Sequence, residues 1–434
     1  MGMKHFFRWY LCLAALTCVG MPSAFAGLPY TGQTLKILVF KDNHSDAVAA
    51  KVKDFELETG AKVVFDAVPT QTVAAKTVAD QIGGGTYDLY AVDEPFVPQL
   101  AKFLLPFNEW PRVRTIAADG SAKFLPASIS GASYQKVQYG LPVNGNVYMV
   151  LYRKDLFEDP KEKVKFKQDF GYDLSLPKTT QQMLDVAKFF HRPPELYGFA
   201  PFSKKSEGTT VECLWAFETF GTGVLGDDLK VNIDEGKAIA ALEWYRALQA
   251  YTAPGSKSWH HAERMGAYNK GKIPMLMTWP SFFAAVESVD SMVRGKSGFG
   301  IPPAAPGGRS APIAGTWSVA IPRSSKNQQL AAEFAHWWAS STMTPSLVKA
   351  GMNPAREDLL TKPDLVEQNP AFPLILENFR IAQVRPRFTD YRQASDIISS
   401  HFTAFLAGNK SAKEAVSGMR SALQQLSAKV RPAS

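Results

Sequence analysis

Early in the chain, short apolar runs alternate with stretches of helical period, and this alternation restricts the fold more than any other feature. Residues 35–40 read Leu-Lys-Ile-Leu-Val-Phe and are followed by the polar loop Lys41-Asp42-Asn43-His44-Ser45. Val48, Val52 and Phe55 then recur at i, i+4 and i+7, and Gly60 offers a natural stop. A second extended run covers 62–68, a helical stretch covers 73–82 and ends in Gly83-Gly84-Gly85, and a third strand over 87–92 runs into Asp93-Glu94. Strands alternating with helices imply a parallel sheet with helices on both faces. Ligands of such sheets gather at the carboxyl ends of the strands. The 42–44 loop and the 93–94 pair both fall there.

The alternation continues beyond this first unit. Ile239, Leu242, Tyr245 and Leu248 mark a helix face, 273–277 is a short apolar strand running into Thr278-Trp279-Pro280, and 302–308 is a Pro/Gly-rich connector. Residues 311–321 read as extended, 328–340 as helix, and the portion from Ser395 onward as mostly helix with a break near Gly408-Asn409. The chain has 434 residues, 46% of them hydrophobic and 20% charged, which is enough for two well-cored domains and atypical of disorder.

The beginning of the chain has the form of a cleavable signal peptide. Lys4 and Arg8 precede an apolar stretch, 10–21, and Ala24-Phe25-Ala26 supplies a small-x-small cleavage site. The apolar stretch is too short for a stable membrane span. Cys12 and Cys18 lie inside this segment and lack the small-residue run of a lipoprotein site, so cleavage after Ala26 leaves Cys213 and no internal disulfide. The expected location is the periplasm. The formal net charge is +8, and Lys4 and Arg8 depart with the signal. The densest basic run, 161–167, contains Glu162 and reads as a solvated face, so nucleic acid is not an expected partner.

Motifs for chemistry are sparse. Gly221-Thr-Gly-Val-Leu-Gly226 matches the dinucleotide fingerprint in letters alone, because a helical stretch precedes it and Asp227-Asp228 would repel a phosphate. Ser346-Leu-Val-Lys349 and Lys296-Ser-Gly298 occur in the reverse order to that of penicillin-recognising acyl enzymes. His260-His261 lacks any companion at ligand spacing, so no metal and no cofactor are expected. A glycosidase built on two of Asp93, Glu94 and Glu212 remains the alternative from the enzyme class, since sequence does not give their separation.

The chain does carry the mixture that grips a polyhydroxylated ligand, aromatic rings for C–H faces and planar polar groups for paired hydroxyls. Asn43, His44, Asp93, Glu94, Asn144, Asn146, Trp279, Trp317, Arg356 and Tyr391 sit at turns between elements, and Glu212 joins them as a candidate ligand contact. Trp244, Trp337 and Trp338 lie on helix faces and read as packing. Within 139–157, Asn144-Gly145-Asn146 forms a turn between Tyr-Gly-Leu-Pro-Val and an apolar run ending in Tyr152-Arg-Lys-Asp-Leu-Phe157. This segment resembles the lobe-to-lobe crossing of extracellular solute-binding proteins of ABC importers. The order of Tyr87-Asp-Leu-Tyr-Ala-Val-Asp-Glu94, Leu176-Pro-Lys-Thr179, Gly315-Thr-Trp-Ser318 and Met352-Asn-Pro-Ala-Arg356 is similar to family 1 of those proteins, the maltodextrin-binding kind.

The resemblance implies an α/β, two-lobe periplasmic binding protein fold of type II, with a ligand cleft between hinged lobes. The implied boundaries are a first lobe over 27–140 and 313–345 and a second over 141–312 and 346–434, with crossings near Leu141, near Pro312 and around 341–350. Asp93, Glu94, Asn146 and Tyr391 fall where the family's prototype contacts sugar, and Arg356 falls in a late loop that can reach ligand. The family's ring-stacking Trp position is altered here to Trp279-Pro280-Ser281. The implied function is non-catalytic: a monomer delivers a sugar or sugar alcohol to permease subunits coupled to a cytoplasmic ATPase. Another small polar solute, such as glycerol phosphate, is the alternative ligand.

Overall fold

In the computed structural model, described residues are 27–430 apart from 42, 108–122, 227–228, 341–342 and 350, with backbone alone at 43, 71 and 344. Residues 1–26, where a signal peptide is expected, lie outside them. Among the described residues no helix is long and apolar enough to cross a membrane.

Two sheets organise the molecule. The first has the strand order β2 (Lys62–Val68), β1 (Thr34–Phe40), β3 (Leu89–Asp93), β11 (Trp317–Ala320) and β6 (Leu141–Asn144). β1 runs parallel to β2 and β3, while β11 is antiparallel to both β3 and β6. Helices Asn43–Thr59 and Val73–Ile82 connect the parallel strands. Leu35, Ile37, Leu38 and Val39 of β1 are fully buried because apolar layers cover both faces.

The second sheet is built on β7 (Val147–Arg153), with β8 (Met275–Thr278) antiparallel along one edge. β9 (Ser297–Gly300) and β10 (Ile313–Ala314) are antiparallel along the other. A small separate hairpin joins β4 (Ser133–Tyr134) to β5 (Val137–Gln138). Helix Glu207–Thr219 is buried almost all round, as expected of a helix with apolar residues on every face. It packs with Glu235–Gln249 and the C-terminal helices Tyr391–Leu406 and Ala412–Lys429 into the largest core. Helices between 357 and 381 cover the sheet's other face.

Among the described residues, the chain passes between the sheets at three places that touch one another. β6 becomes β7 through Gly145 and Asn146 alone, and β10 becomes β11 through Gly315 and Thr316 alone. The third passage runs through 351–356. Gly145 N–H donates to Asn353 O at 2.8 Å, and Gly315 N–H donates to Asn146 O at 2.8 Å. A Cβ on Gly145 would lie 2.8 Å from the Ala355 Cα, so glycine alone lets these backbones approach. All three passages lie a few residues beyond those expected. Leu141–Asn144 still pairs in the first sheet, Ile313–Ala314 still pairs in the second, and helix Thr344–Lys349 still places Leu347 in the first core.

Candidate functional site

Strands of the first lobe end side by side at the crossings. Trp317 of β11 stands opposite Asp93 of β3 on one side and Asn144 of β6 on the other. Directly opposed residues project from the same face, so these three side chains form a row. Phe40, the last residue of β1, extends it, with its ring centroid 4.1 Å from that of Trp317. The row lies at the carboxyl ends of the parallel strands, and Trp317 within it is only partly buried.

The second lobe brings Trp279 and Ser281, which follow β8. The indole of Trp279 covers Gly315, where a Cβ would meet Cζ3 at 2.5 Å, and its centroid is 5.0 Å from that of Tyr148. Asn146 Nδ2 donates to Ser281 Oγ at 2.9 Å, and Asn353 Nδ2 donates to Asn146 Oδ1 at 3.3 Å. Asn144 Oδ1 and Asn353 Oδ1 are buried and have no hydrogen-bond partner among the described residues. A buried carbonyl oxygen without a donor costs about 1–3 kcal/mol, and native proteins keep few of them. Two such acceptors at the crossings suit a ligand that brings hydroxyl donors.

Below this lies a charged cluster centred on Arg385, whose side chain is 3% exposed. Its Nη1 and Nη2 donate to the two oxygens of Asp93 at 3.0 and 2.5 Å, and Nη1 also donates to Glu207 Oε1 at 3.1 Å. Its backbone N–H donates to Glu94 Oε1 at 3.3 Å, and Thr316 N–H donates to Glu94 Oε2 at 3.1 Å. Tyr391 Oη and Ser395 Oγ donate to Glu207 at 2.5 and 2.6 Å. Burial pushes the Glu94 and Glu207 carboxyls above the ordinary range, with Arg385 pulling each back down. Burial also works against the Arg385 charge, but the facing carboxylates outweigh it and hold the guanidinium protonated.

The expected contacts divide accordingly. Asp93, Glu94, Asn144, Asn146, Trp279 and Trp317 converge where the lobes meet. Tyr391 reaches the charged cluster but is fully buried, its ring against Phe96, so its hydroxyl serves Glu207. Asn43 opens the first helix, and its side chain lies outside the described residues. His44 is a correction: it is packed between Phe40 and Trp338, and the Trp338 indole N–H donates to its Nε2 at 3.3 Å. Glu212 is another, for it is wholly buried in the second lobe, accepts from Tyr148 Oη at 2.7 Å and pairs with Arg264 at 3.5 Å. Arg356 is engaged at the third passage: Asp358 accepts from its Nε and Nη2 at 3.2 and 2.6 Å, and Nη1 reaches Ala339 O at 3.4 Å.

Arg385, Glu207, Ser395 and Asn353 escaped sequence reasoning. Glu207 reads as an ordinary acid in a first helical turn. Pro386 biases Arg385 toward extended backbone but says nothing of its partners, so no local signal marks it. Among the described residues no group of three or more His, Cys, Asp or Glu could hold a metal ion.

A family described as bacterial extracellular solute-binding protein matches residues 41–344. A probable ABC transporter-binding protein of Deinococcus radiodurans is 25% identical over 357 residues, covering 79% of this chain and 81% of that protein. A solved solute-binding protein of Agrobacterium radiobacter K84 in complex with ribitol superposes with a TM-score of 0.81 at 22% identity, over 92% of this chain and 100% of that one. A maltose-bound T. maritima protein gives a TM-score of 0.80 at 22% identity, over 91% and 99%.

Proposed function

Because the chain belongs to the bacterial extracellular solute-binding proteins, we propose that it captures an uncharged sugar or sugar alcohol between its lobes and delivers it to the permease of an ABC importer. The observation that carries this reading is the meeting of Trp317 and Trp279 with the Asn144 and Asn353 acceptors, which have no partner among the described residues, where the lobes cross. Rings cover the C–H faces of a polyol, and carboxamides accept from its hydroxyls. The ribitol and maltose held by proteins of the same fold support the same ligand class. Three carboxylates facing one guanidinium leave a surplus of negative charge, which disfavours glycerol phosphate and other anions. Asp93 and Glu94 are committed to Arg385 and to backbone donors, which leaves neither suited to protonating a glycosidic oxygen.

In this reading the segment through Ala26 is removed on export, the mature protein works as a monomer in the periplasm, and a cytoplasmic ATPase drives the permease. Thermal melting against sugars, polyols, amino acids and glycerol phosphate tests the ligand class. A cognate ligand at a thousandfold excess over Kd adds about 4 kcal/mol to native stability. Sugars or polyols should raise the melting temperature. If anions or amino acids alone do so, the ligand class is wrong; hydrolysis of an aryl glycoside that Asp93→Asn abolishes would establish the enzyme instead.

A further inference from the structure

We infer that Arg385 is a positioning residue that clasps the two lobes together, setting the balance between open and closed protein and through it the affinity for ligand. This rests on the reading of a binding protein whose lobes close, and it adds the element that governs closure.

The segment carrying Arg385 belongs to the second lobe. Gln383 N–H donates to Pro312 O at 2.8 Å, Ala314 N–H donates to Gln383 O at 2.8 Å, and Phe388 is part of the largest core. Glu207 anchors the guanidinium from the same lobe and is itself held by Tyr391 and Ser395. Asp93 and Glu94 come from the first lobe, at the end of β3. One cation therefore spans anions of both lobes.

The geometry suits arginine and no other residue. Its planar fork meets both oxygens of Asp93 while Nη1 still reaches Glu207. The lysine ammonium is a point charge and cannot hold Asp93 bidentately while keeping the second-lobe anchor. Separation of the lobes would leave adjacent carboxylates of the first lobe without their shared cation. That cost favours the joined arrangement before any ligand arrives.

Closure can be read without ligand, so failure of the clasp is distinguishable from a mistaken ligand class. Ile82 and Val164 are exposed on different lobes, at 77% and 58%, and can be replaced by cysteine for dye labelling. Cys213 is buried and its thiol is pushed up by burial, so it stays unlabelled. Single-molecule energy transfer on the ligand-free protein should show Arg385→Gln raising the open-to-closed ratio about tenfold, within the coupling range of directly bonded charged pairs. Arg385→Lys should recover part of that shift. Asp93→Asn should open the protein comparably, and the double variant Asp93→Asn with Arg385→Gln should open it no further. A folded Arg385→Gln protein with the wild-type distance distribution overturns the inference. Should that variant fail to fold, Asp93→Asn, which leaves the second-lobe segment intact, decides the matter in the same way.

Discussion

Trp317 is held by two unlike constraints, a strand register that presents it beside Asp93 and Asn144 and a ring contact that leans it on Phe40. On the proposed reading, a partly buried indole so placed loses a ligand face when truncated and little of the core. Trp317→Ala should therefore weaken binding by about 2–4 kcal/mol, the scale of an aromatic hot spot. Calorimetry and melting on the same variant check this, since a core role would leave affinity intact and cost roughly 3–5 kcal/mol of stability. The position was legible in the sequence because an aromatic beside Gly315, at a strand end, has a weak packing explanation. The place of Asn144 and Asn146 at the crossing was legible for a similar reason, as carboxamides in a turn between apolar runs. Glu212 misled because a carboxylate in sequence carries no mark of its depth. Only the fold shows Tyr148, Arg264 and the Phe202 N–H closing around it. Arg385 was invisible because its partners at 93, 94 and 207 are brought to it by tertiary structure alone.

At the scale of elements, periodicity was a reliable guide and boundaries were not. The opening strand–helix alternation reads directly off the apolar pattern, because a parallel sheet buried on both faces needs continuous apolar runs. The crossings were displaced from their expected positions because nothing local marks where a strand leaves one sheet for another. β6 and β7 form a nearly unbroken extended stretch, and only Gly145 between them signals the change of partner. That glycine yields a prediction. Alanine at 145 would set a methyl 2.8 Å from the Ala355 Cα and 2.9 Å from Pro354 O, contacts that require backbone to move. Overpacking of this kind costs about 1–3 kcal/mol. Gly145→Ala should lower the denaturation midpoint by that amount and also weaken binding, because Asn144 and Asn146 flank the displaced bond. Unchanged affinity in a destabilised Gly145→Ala protein would place the crossing outside the site.

For the whole molecule, buried titratable groups make acid stability a contest of opposite signs. Burial drives the His44 pKa down from 6.5 to about 3, so the folded ring stays neutral over a range where the unfolded chain takes up a proton. Stability from this source is complete above about pH 6.5 and falls as pH drops toward 3, because the unfolded state binds more protons. His261, also lowered by burial, acts in the same direction. Glu94, Glu207 and Glu212 act oppositely: burial raises their pKa values, so protonation on acidification relieves the cost of keeping them charged in the folded state. The net slope of wild type therefore mixes both signs, while the difference from a histidine variant isolates one. His44→Gln keeps an amide within the space between Phe40 and Trp338 and removes the titration. At neutral pH the variant should be the less stable protein, having lost the packed ring. Between about pH 7 and pH 5 the gap should move in its favour by about 2 kcal/mol, the linkage of a group shifted across that window at about 1.4 kcal/mol per unit. Denaturant unfolding of both proteins at matched pH measures that change directly. A gap that stays constant with pH would mean that His44 takes up its proton in the folded state, and that the contact between Trp338 and its Nε2 is broken in solution.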